Sequence, residues 1–185
     1  MSLTMNQKDI KVLFSEEEIQ TRINEIAKLI DSDYKDTENL IVVGVLKGAL
    51  LFTADLVRKL KTPSQLEFIS LSSYGNETTS SGSVRSYDLS LPDLTDKEIL
   101  VVEDIVDSGR TADFLMNFFK GQAKTKSVKL VSLLNKPSKR LKEFEAIEPD
   151  YCCFTVDDKF IIGYGLDFEQ KYRDLPYLGY VEGLV

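Results

Sequence analysis

The hydrophobic and polar pattern of the chain alternates between short apolar runs and amphipathic stretches. Continuous apolar runs rich in β-branched residues are typical of strands that are buried on both faces of a parallel sheet. The runs that predict strands are Leu40–Leu46, Leu66–Leu71, Ile99–Val102, Ser127–Leu134 and Tyr151–Val156, and Val84–Leu89 predicts a return strand. The sequence therefore predicts an α/β fold in which helices flank a central parallel sheet.

Three stretches between these runs predict helices. Ser15 and Glu18 form a capping box before isoleucines that recur on one helical face, which predicts a helix over Glu16–Ile30. The second predicted helix is Ala49–Leu60. The third begins near Ala112 and runs to about Lys120, where Gly121 predicts its end.

The stretch Ile99–Thr111 joins an apolar run to a helix through a polar loop. Open α/β sheets bind their ligands where strands end and helices begin. The loop Asp107–Thr111 combines backbone N–H groups at a helix start, two hydroxyl side chains and the flexible Gly109, which together predict a phosphate cup. Glu103 and Asp104, at the predicted strand end, only accept hydrogen bonds, so they suit sugar hydroxyls or water-bound Mg²⁺. The predicted ligand is therefore a ribose 5-phosphate.

The amino-acid composition excludes several classes of partner and of catalytic group. The 185 residues include 23 Lys and Arg against 30 Asp and Glu, a formal net charge of −7, and such an acidic chain is a poor general binder of nucleic acid. Without histidine, acid–base work near neutral pH falls to carboxylates and lysines. We expect Cys152 and Cys153, adjacent in an apolar run, to be reduced core residues of a cytosolic protein. No run approaches transmembrane length, so we expect no membrane partner.

The segment Val102–Thr111 resembles the phosphoribosyl-pyrophosphate (PRPP) motif of the type I phosphoribosyltransferases. From about Val12 to Tyr180 the chain resembles the hypoxanthine-guanine branch of that family in its bacterial form. The resemblance implies the type I phosphoribosyltransferase fold, a central parallel sheet flanked by helices with a small hood and a flexible lid loop. We expect residues 1–185 to form one domain and residues 1–4 to be a cloning remnant.

The resemblance also implies which residues bind PRPP. Asp107 faces N7 of the base and is the predicted general acid–base residue. A lid at about residues 72–86, with Ser73 and Tyr74 matching the family's pair, closes to keep water from a reactive ribosyl cation. A cis peptide is expected before Lys47. The residues that match the family's PRPP ligands are Glu103, Asp104, Asp107, Ser108, Gly109, Arg110, Thr111, Leu46, Lys47, Gly48 and Arg173.

A second group of residues matches the family's purine site. Lys136, which follows a predicted strand, matches the lysine that binds the exocyclic oxygen of a 6-oxopurine. Phe160 matches the residue that stacks on the purine ring, and Ile161 the one whose backbone contacts the base edge. Asp167 matches an acidic residue near the base and a second Mg²⁺. The implied Mg²⁺ ligands, partly through water, are Glu103, Asp104 and Asp167.

The implied function is purine salvage. The enzyme would transfer 5-phosphoribosyl from PRPP to N9 of hypoxanthine or guanine, giving IMP or GMP and pyrophosphate, with Mg²⁺ as cofactor. The resemblance further implies a cytoplasmic homodimer or homotetramer without a nucleic-acid partner. One alternative is a regulator of the same fold that binds nucleic acid, because fold alone does not give function. The other is an enzyme for another base, adenine, orotate, uracil or xanthine, although Lys136 and the Phe160–Asp167 segment favour 6-oxopurines.

Overall fold

The structure is a computed structural model that describes residues 9–73, 84–86, 91–122 and 124–183. Strands and helices alternate along the described chain, as the sequence pattern predicts. In chain order they are β1 (Ile10–Phe14), α1 (Glu16–Asp33), β2 (Leu40–Leu46), α2 (Leu50–Val57), β3 (Ser64–Ser73), β4 (Val84–Ser86), β5 (Glu98–Val106), α3 (Arg110–Asn117), β6 (Ser127–Asn135), β7 (Tyr151–Thr155), β8 (Ile161–Ile162) and β9 (Leu178–Val181).

Two sheets organise these elements. The larger sheet has the strand order β4-β3-β2-β5-β6-β7, and all its pairs are parallel except β3 with β4. The smaller sheet has the order β1-β9-β8 and is antiparallel. The predicted α/β fold is confirmed, with a five-stranded parallel core and a small second sheet in the place of the predicted hood.

Apolar side chains cover both faces of the parallel sheet. In β5, Leu100 and Val102 pack in the cluster that contains α1 and α2, whereas Ile99 and Val101 pack in the cluster that contains α3. All four side chains are fully buried. Successive strand residues face opposite sides, so a continuous apolar run serves both clusters. The run Ile99–Val102 is therefore a central strand, as predicted.

The predicted element ends need several corrections. The strand predicted from the apolar run Ile99–Val102, with Glu103 and Asp104 at its C-terminal end, is longer than expected, because β5 keeps its pairing with β6 as far as Val106. Helix α1 is confirmed with its capping box but runs on to Asp33. The corrected spans of the other predicted elements are α2 over Leu50–Val57, β3 over Ser64–Ser73, β6 to Asn135, β7 to Thr155, and α3 to Asn117 followed by a π-helical turn over Phe118–Gln122.

The expectations for the cysteines and the return strand are tested only in part. Cys152 and Cys153 are free, as predicted, and burial raises the pKa of the Cys153 thiol to about 12. The return strand pairs with β3 over Val84–Ser86, and its predicted remainder to Leu89 lies outside the described residues. None of the described helices is long and apolar enough to cross a membrane.

Candidate active site

The loop Asp107–Thr111 connects β5 to α3 at the carboxyl edge of the parallel sheet. Gly109 precedes α3 with φ +88°, a left-handed conformation that favours glycine. A Cβ on Gly109 would lie 2.7 Å from Phe144 Cβ and 2.9 Å from Arg140 Cδ, so the segment behind the loop also requires glycine. The loop therefore presents the free N–H groups at the start of α3 to the site.

Hydrogen bonds inside the loop orient its first two residues. One carboxylate oxygen of Asp107 accepts a hydrogen bond from the backbone N–H of Ser108. The hydroxyl of Ser108 lies 3.5 Å from the backbone nitrogen of Arg110. Because Asp107 is exposed, its second carboxylate oxygen is accessible to a ligand beside the phosphate cup. The predicted phosphate ligands and the predicted proton-transfer residue therefore lie in one loop, and their roles stay predictions.

Glu103 and Asp104 have different surroundings although they are neighbours in β5. Glu103 is buried, and desolvation together with the charges of Asp104 and Asp107 raises its pKa well above the ordinary value. Its Oε2 atom has no hydrogen-bond partner among the described residues. Burial also raises the pKa of Asp104, to about 6, against the opposing effect of a hydrogen bond from the Ile105 N–H at 2.9 Å. Burial therefore favours the protonated form of both carboxyl groups.

The loop after β2 lies directly against Asp104. The peptide between Leu46 and Lys47 is cis, as the family resemblance implies. A Cβ on Gly48 would lie only 1.6 Å from Asp104 Oδ2, so the backbone at this position occupies the space beside the carboxylate. Lys47 is exposed. The predicted pyrophosphate loop and a predicted ribose ligand are thus in contact.

Arg173 approaches the same region from the segment before β9. Its guanidinium donates to the backbone oxygen of Gly165 at 2.7 Å and pairs with Asp167 Oδ1 at 2.7 Å. The positive charge of Arg173 favours the ionised form of Asp104. Asp167 also accepts a hydrogen bond from the backbone of Gln170 at 2.8 Å. The structure therefore brings together predicted ligands that lie up to 127 positions apart, from Leu46 to Arg173.

The predicted purine residues lie on two segments, one directly after β6 and one at the start of β8. Lys136 directly follows β6, is buried, and donates its backbone N–H to the Val106 carbonyl at 2.9 Å. Desolvation lowers the pKa of its amine, which lies 3.9 Å from Asp158 Oδ1. Phe160 is half-buried, with its ring edge-on to Phe168 at a centroid distance of 5.8 Å.

The remaining predicted residues differ in how far the structure describes them. Ile161 is buried in β8 and pairs with Tyr180, so its backbone is fixed by the smaller sheet. Ser73 is the last residue of β3, whereas Tyr74 and most of the predicted lid lie outside the described residues.

The sequence reasoning missed two groups that contact predicted residues. Asp158 pairs with Lys139 at 2.7 Å as well as lying near Lys136. Arg140 donates to the carbonyl of Asp107 from behind the phosphate loop. The only sequence signal for both is a run of charged residues, which is more often a solvated surface.

The acidic residues of the site suit a magnesium ion that shares its ligands with a substrate. In the described part of the chain, no cluster of three or more His, Cys, Asp or Glu could hold a metal ion. Mg²⁺ commonly binds through one or two carboxylates, waters and substrate phosphates instead. Asp104 is a carboxylate of this kind, and the unpartnered Oε2 of Glu103 is a further oxygen nearby in the strand. The donor set therefore fits the predicted cofactor.

Comparison with known proteins defines the class. The family model described as phosphoribosyl transferase domain matches residues 11–169, and the chain belongs to this family. The similarity is to its hypoxanthine-guanine members. The chain is 44% identical over 182 residues to hypoxanthine-guanine phosphoribosyltransferase of Bacillus subtilis (strain 168), a match that covers 98% of each protein.

Solved structures agree in fold and in family. A crystal structure of a hypoxanthine-guanine phosphoribosyltransferase from Bacillus anthracis is 40% identical, with a TM-score of 0.84, over 92% of this chain and 98% of that one. A mutant hypoxanthine phosphoribosyltransferase from Trypanosoma cruzi, in complex with the product IMP, is 36% identical, with a TM-score of 0.86. That match covers 97% of this chain and 95% of the other.

Proposed function

We propose that this protein is a purine-salvage enzyme that transfers 5-phosphoribosyl from PRPP to N9 of hypoxanthine or guanine. The products are IMP or GMP and pyrophosphate. One observation supports this most directly: the phosphate loop after β5, the tight backbone loop after β2 that contacts Asp104, and the buried lysine after β6 all follow neighbouring strands of one parallel sheet. These groups correspond to the phosphate, the ribose and the 6-oxopurine.

The phosphate loop and the carboxylates bind the ribose 5-phosphate. Ser108, Gly109, Arg110 and Thr111 hold the phosphate through N–H groups and hydroxyls at the start of α3. Asp104 accepts hydrogen bonds from the ribose hydroxyls, and Glu103 supports it from within the strand. The loop of Leu46, Lys47 and Gly48 binds the pyrophosphate together with Arg173. Asp104, Asp167, Glu103 and waters would hold Mg²⁺, which would supply positive charge to stabilise the leaving pyrophosphate.

The base is bound by Lys136, Phe160 and the backbone of Ile161. A lysine ammonium donates to the exocyclic oxygen of hypoxanthine or guanine, whereas the amino group of adenine is itself a donor. Asp107 lies beside the phosphate cup, where its free carboxylate oxygen exchanges a proton with N7 of the purine. Closure of the lid, with Ser73 and Tyr74, excludes water from the ribooxocarbenium-like transition state.

A base panel tests this function. The protein is incubated with PRPP, Mg²⁺ and one of hypoxanthine, guanine, xanthine, adenine or uracil, and nucleotide formation is followed. We expect turnover of hypoxanthine or guanine, with adenine and uracil inert. Preferential turnover of xanthine would assign the chain to the alternative enzyme. PRPP binding without turnover of any base would contradict the proposed activity and favour a regulatory protein.

The assembly and location of the protein are part of the same proposal. We propose that residues 1–185 act as one domain in a cytoplasmic homodimer or homotetramer that has no nucleic-acid partner. The exposed Leu50 and Leu51 on α2 and Leu66 on β3 provide apolar surface for contact between copies. Light scattering after size exclusion tests this, since a mass of 20.9 kDa would identify a monomer instead.

A further inference from the structure

The segment that follows β6 lies directly behind the phosphate loop. The backbone N–H of Leu141 donates to the Ser108 carbonyl at 3.1 Å. The aliphatic part of Arg140 and the ring-bearing side chain of Phe144 leave no space for a Cβ at Gly109. The back of the loop is therefore shaped by residues that lie about 30 positions further along the chain.

Arg140 has the strongest contacts in this segment. Its guanidinium donates to the Asp107 carbonyl at 2.5 Å and to the side-chain oxygen of Asn135 at 2.6 Å. The Arg140 side chain is only 4% exposed, whereas its ionic partner Glu148, 3.9 Å away, is 55% exposed. A cation this deeply buried needs hydrogen-bond partners, and two of the oxygens nearest to it belong to the loop and the adjoining strand end.

Asn135 connects this network to the base side of the site. It is buried, donates to Glu148 Oε2 at 2.7 Å, and pairs with Val106 in the ladder between β5 and β6. The next residue is Lys136. The network of Arg140, Asn135 and Glu148 therefore holds the carbonyl of Asp107 from one end of β6, while the Ser108 and Arg110 N–H groups are directed to side chains of the loop itself.

On the basis of the proposed function, we propose that Arg140 is a positioning residue for the 5-phosphate loop. The planar guanidinium donates to the Asp107 carbonyl and to Asn135, which fixes the position of that carbonyl. The N–H groups that follow Asp107 in the loop, and the Asp107 carboxylate, thereby keep the orientation that a phosphorylated ribose requires. A lysine would retain the charge but supply no rigid fork. Arg140 contacts no substrate in this proposal and acts only through the loop.

The test is Arg140→Lys, measured in both reaction directions. PRPP and IMP contain the 5-phosphate, whereas hypoxanthine and pyrophosphate do not. We expect KM for PRPP and for IMP to rise about tenfold, the effect of losing a hydrogen bond to a charged group. We expect KM for hypoxanthine and for pyrophosphate to change less than about twofold.

Arg22→Lys is a matched control. Arg22 also donates to two backbone carbonyls, those of Cys153 at 2.8 Å and Cys152 at 3.1 Å, and pairs with Glu25 at 2.7 Å, but it does so between α1 and β7. We expect this variant to lose some thermal stability without a change in any KM. An equal rise of all four KM values in Arg140→Lys, or no rise, would overturn the inference.

A second variant tests the same proposal if Arg140→Lys does not fold. Glu148→Ala removes an exposed residue and weakens the same network, and we expect KM for PRPP and IMP to rise about threefold. Unchanged values would overturn the proposal. If the wild-type protein turned over no base, the proposed function would fail. The affinity for PRPP, measured by calorimetry for the wild-type protein and for Arg140→Lys, would still test the role of Arg140. Equal PRPP affinity, or none in either form, would then refute its role.

Discussion

Gly48→Ala tests the contact between the loop after β2 and Asp104. The new methyl carbon would lie 1.6 Å from Asp104 Oδ2 and 2.4 Å from Asp104 Cγ, where ordinary contacts begin at 3.4 Å. The carboxylate and the backbone of Gly48 therefore cannot both keep their places. Either Asp104 rotates and loses the 2.9 Å hydrogen bond from the Ile105 N–H, or the loop moves away from it.

The size of the expected loss of activity follows from the strength of the hydrogen bonds that Asp104 makes. A hydrogen bond to a charged group contributes about 1.5–3 kcal/mol. If Asp104 binds the ribose in the transition state, as proposed, its displacement also removes a hydrogen bond of this size to the ribose, which lowers kcat/KM for PRPP about 10- to 100-fold. A displaced pyrophosphate loop would lower the same constant, so both ways of relieving the clash predict the same direction of change.

The assay is the initial rate of IMP formation at varied PRPP with saturating hypoxanthine and Mg²⁺, alongside the melting temperature. Gly121→Ala is the control, because nothing lies within 4 Å of a Cβ at Gly121 and we expect no more than a twofold change. If Gly48→Ala kept wild-type kcat/KM, the reasoning from contact to activity would be refuted. A fall in activity that matched the unfolded fraction would contradict it as well.

Three further predictions concern single carboxylates and the lysine of the base site. Asp107→Ala should lower kcat by about 10²–10⁴ with little change in KM for PRPP, and a rise in KM at unchanged kcat would contradict its acid–base role. Lys136→Ala should reduce the preference for hypoxanthine over adenine at least tenfold, measured as the ratio of kcat/KM values; an unchanged ratio would exclude the lysine from base selection. The pKa of Asp104 is raised from 3.8 to about 6, so its protonated form stabilises the fold below pH 3.8, and this stability is lost as the pH rises through 6. Denaturation between pH 3.5 and 7 should therefore show a steeper fall in unfolding free energy for wild type than for Asp104→Asn, and parallel curves would count against this.

The parts of the site that could be predicted from the sequence are those formed by residues that are adjacent along the chain. Gly109 and the residues around it form a strand, a loop and a helix start in one continuous stretch, and the capping box of Ser15 and Glu18 is equally local. Hydrophobic periodicity gave the order of elements for a similar reason. The end of β5 was missed because pairing with β6 continues after the apolar run stops, and no local pattern records a partner strand.

The residues that sequence missed are linked to the site only through the fold. Arg140 and Asp158 occur in charged stretches of the kind that usually face solvent, and neither periodicity nor motif spacing distinguishes them from surface residues. Their contacts with Asp107 and Lys136 depend on how the segments after β6 and β7 cross the sheet edge. Such contacts join residues 20 or more positions apart, and only the three-dimensional structure reveals them.

The strand order β3-β2-β5-β6 has a consequence for how the two ends of a ligand are bound. The chain leaves β2 toward one edge of the sheet and leaves β5 toward the other, with α2 and α3 on opposite faces. Because open α/β sheets bind ligands in the crevice where such crossovers diverge, we expect the loops that begin at Lys47 and Asp107 to form its two walls. Because each wall belongs to its own crossover, one can be altered by substitution or insertion while the other keeps its support.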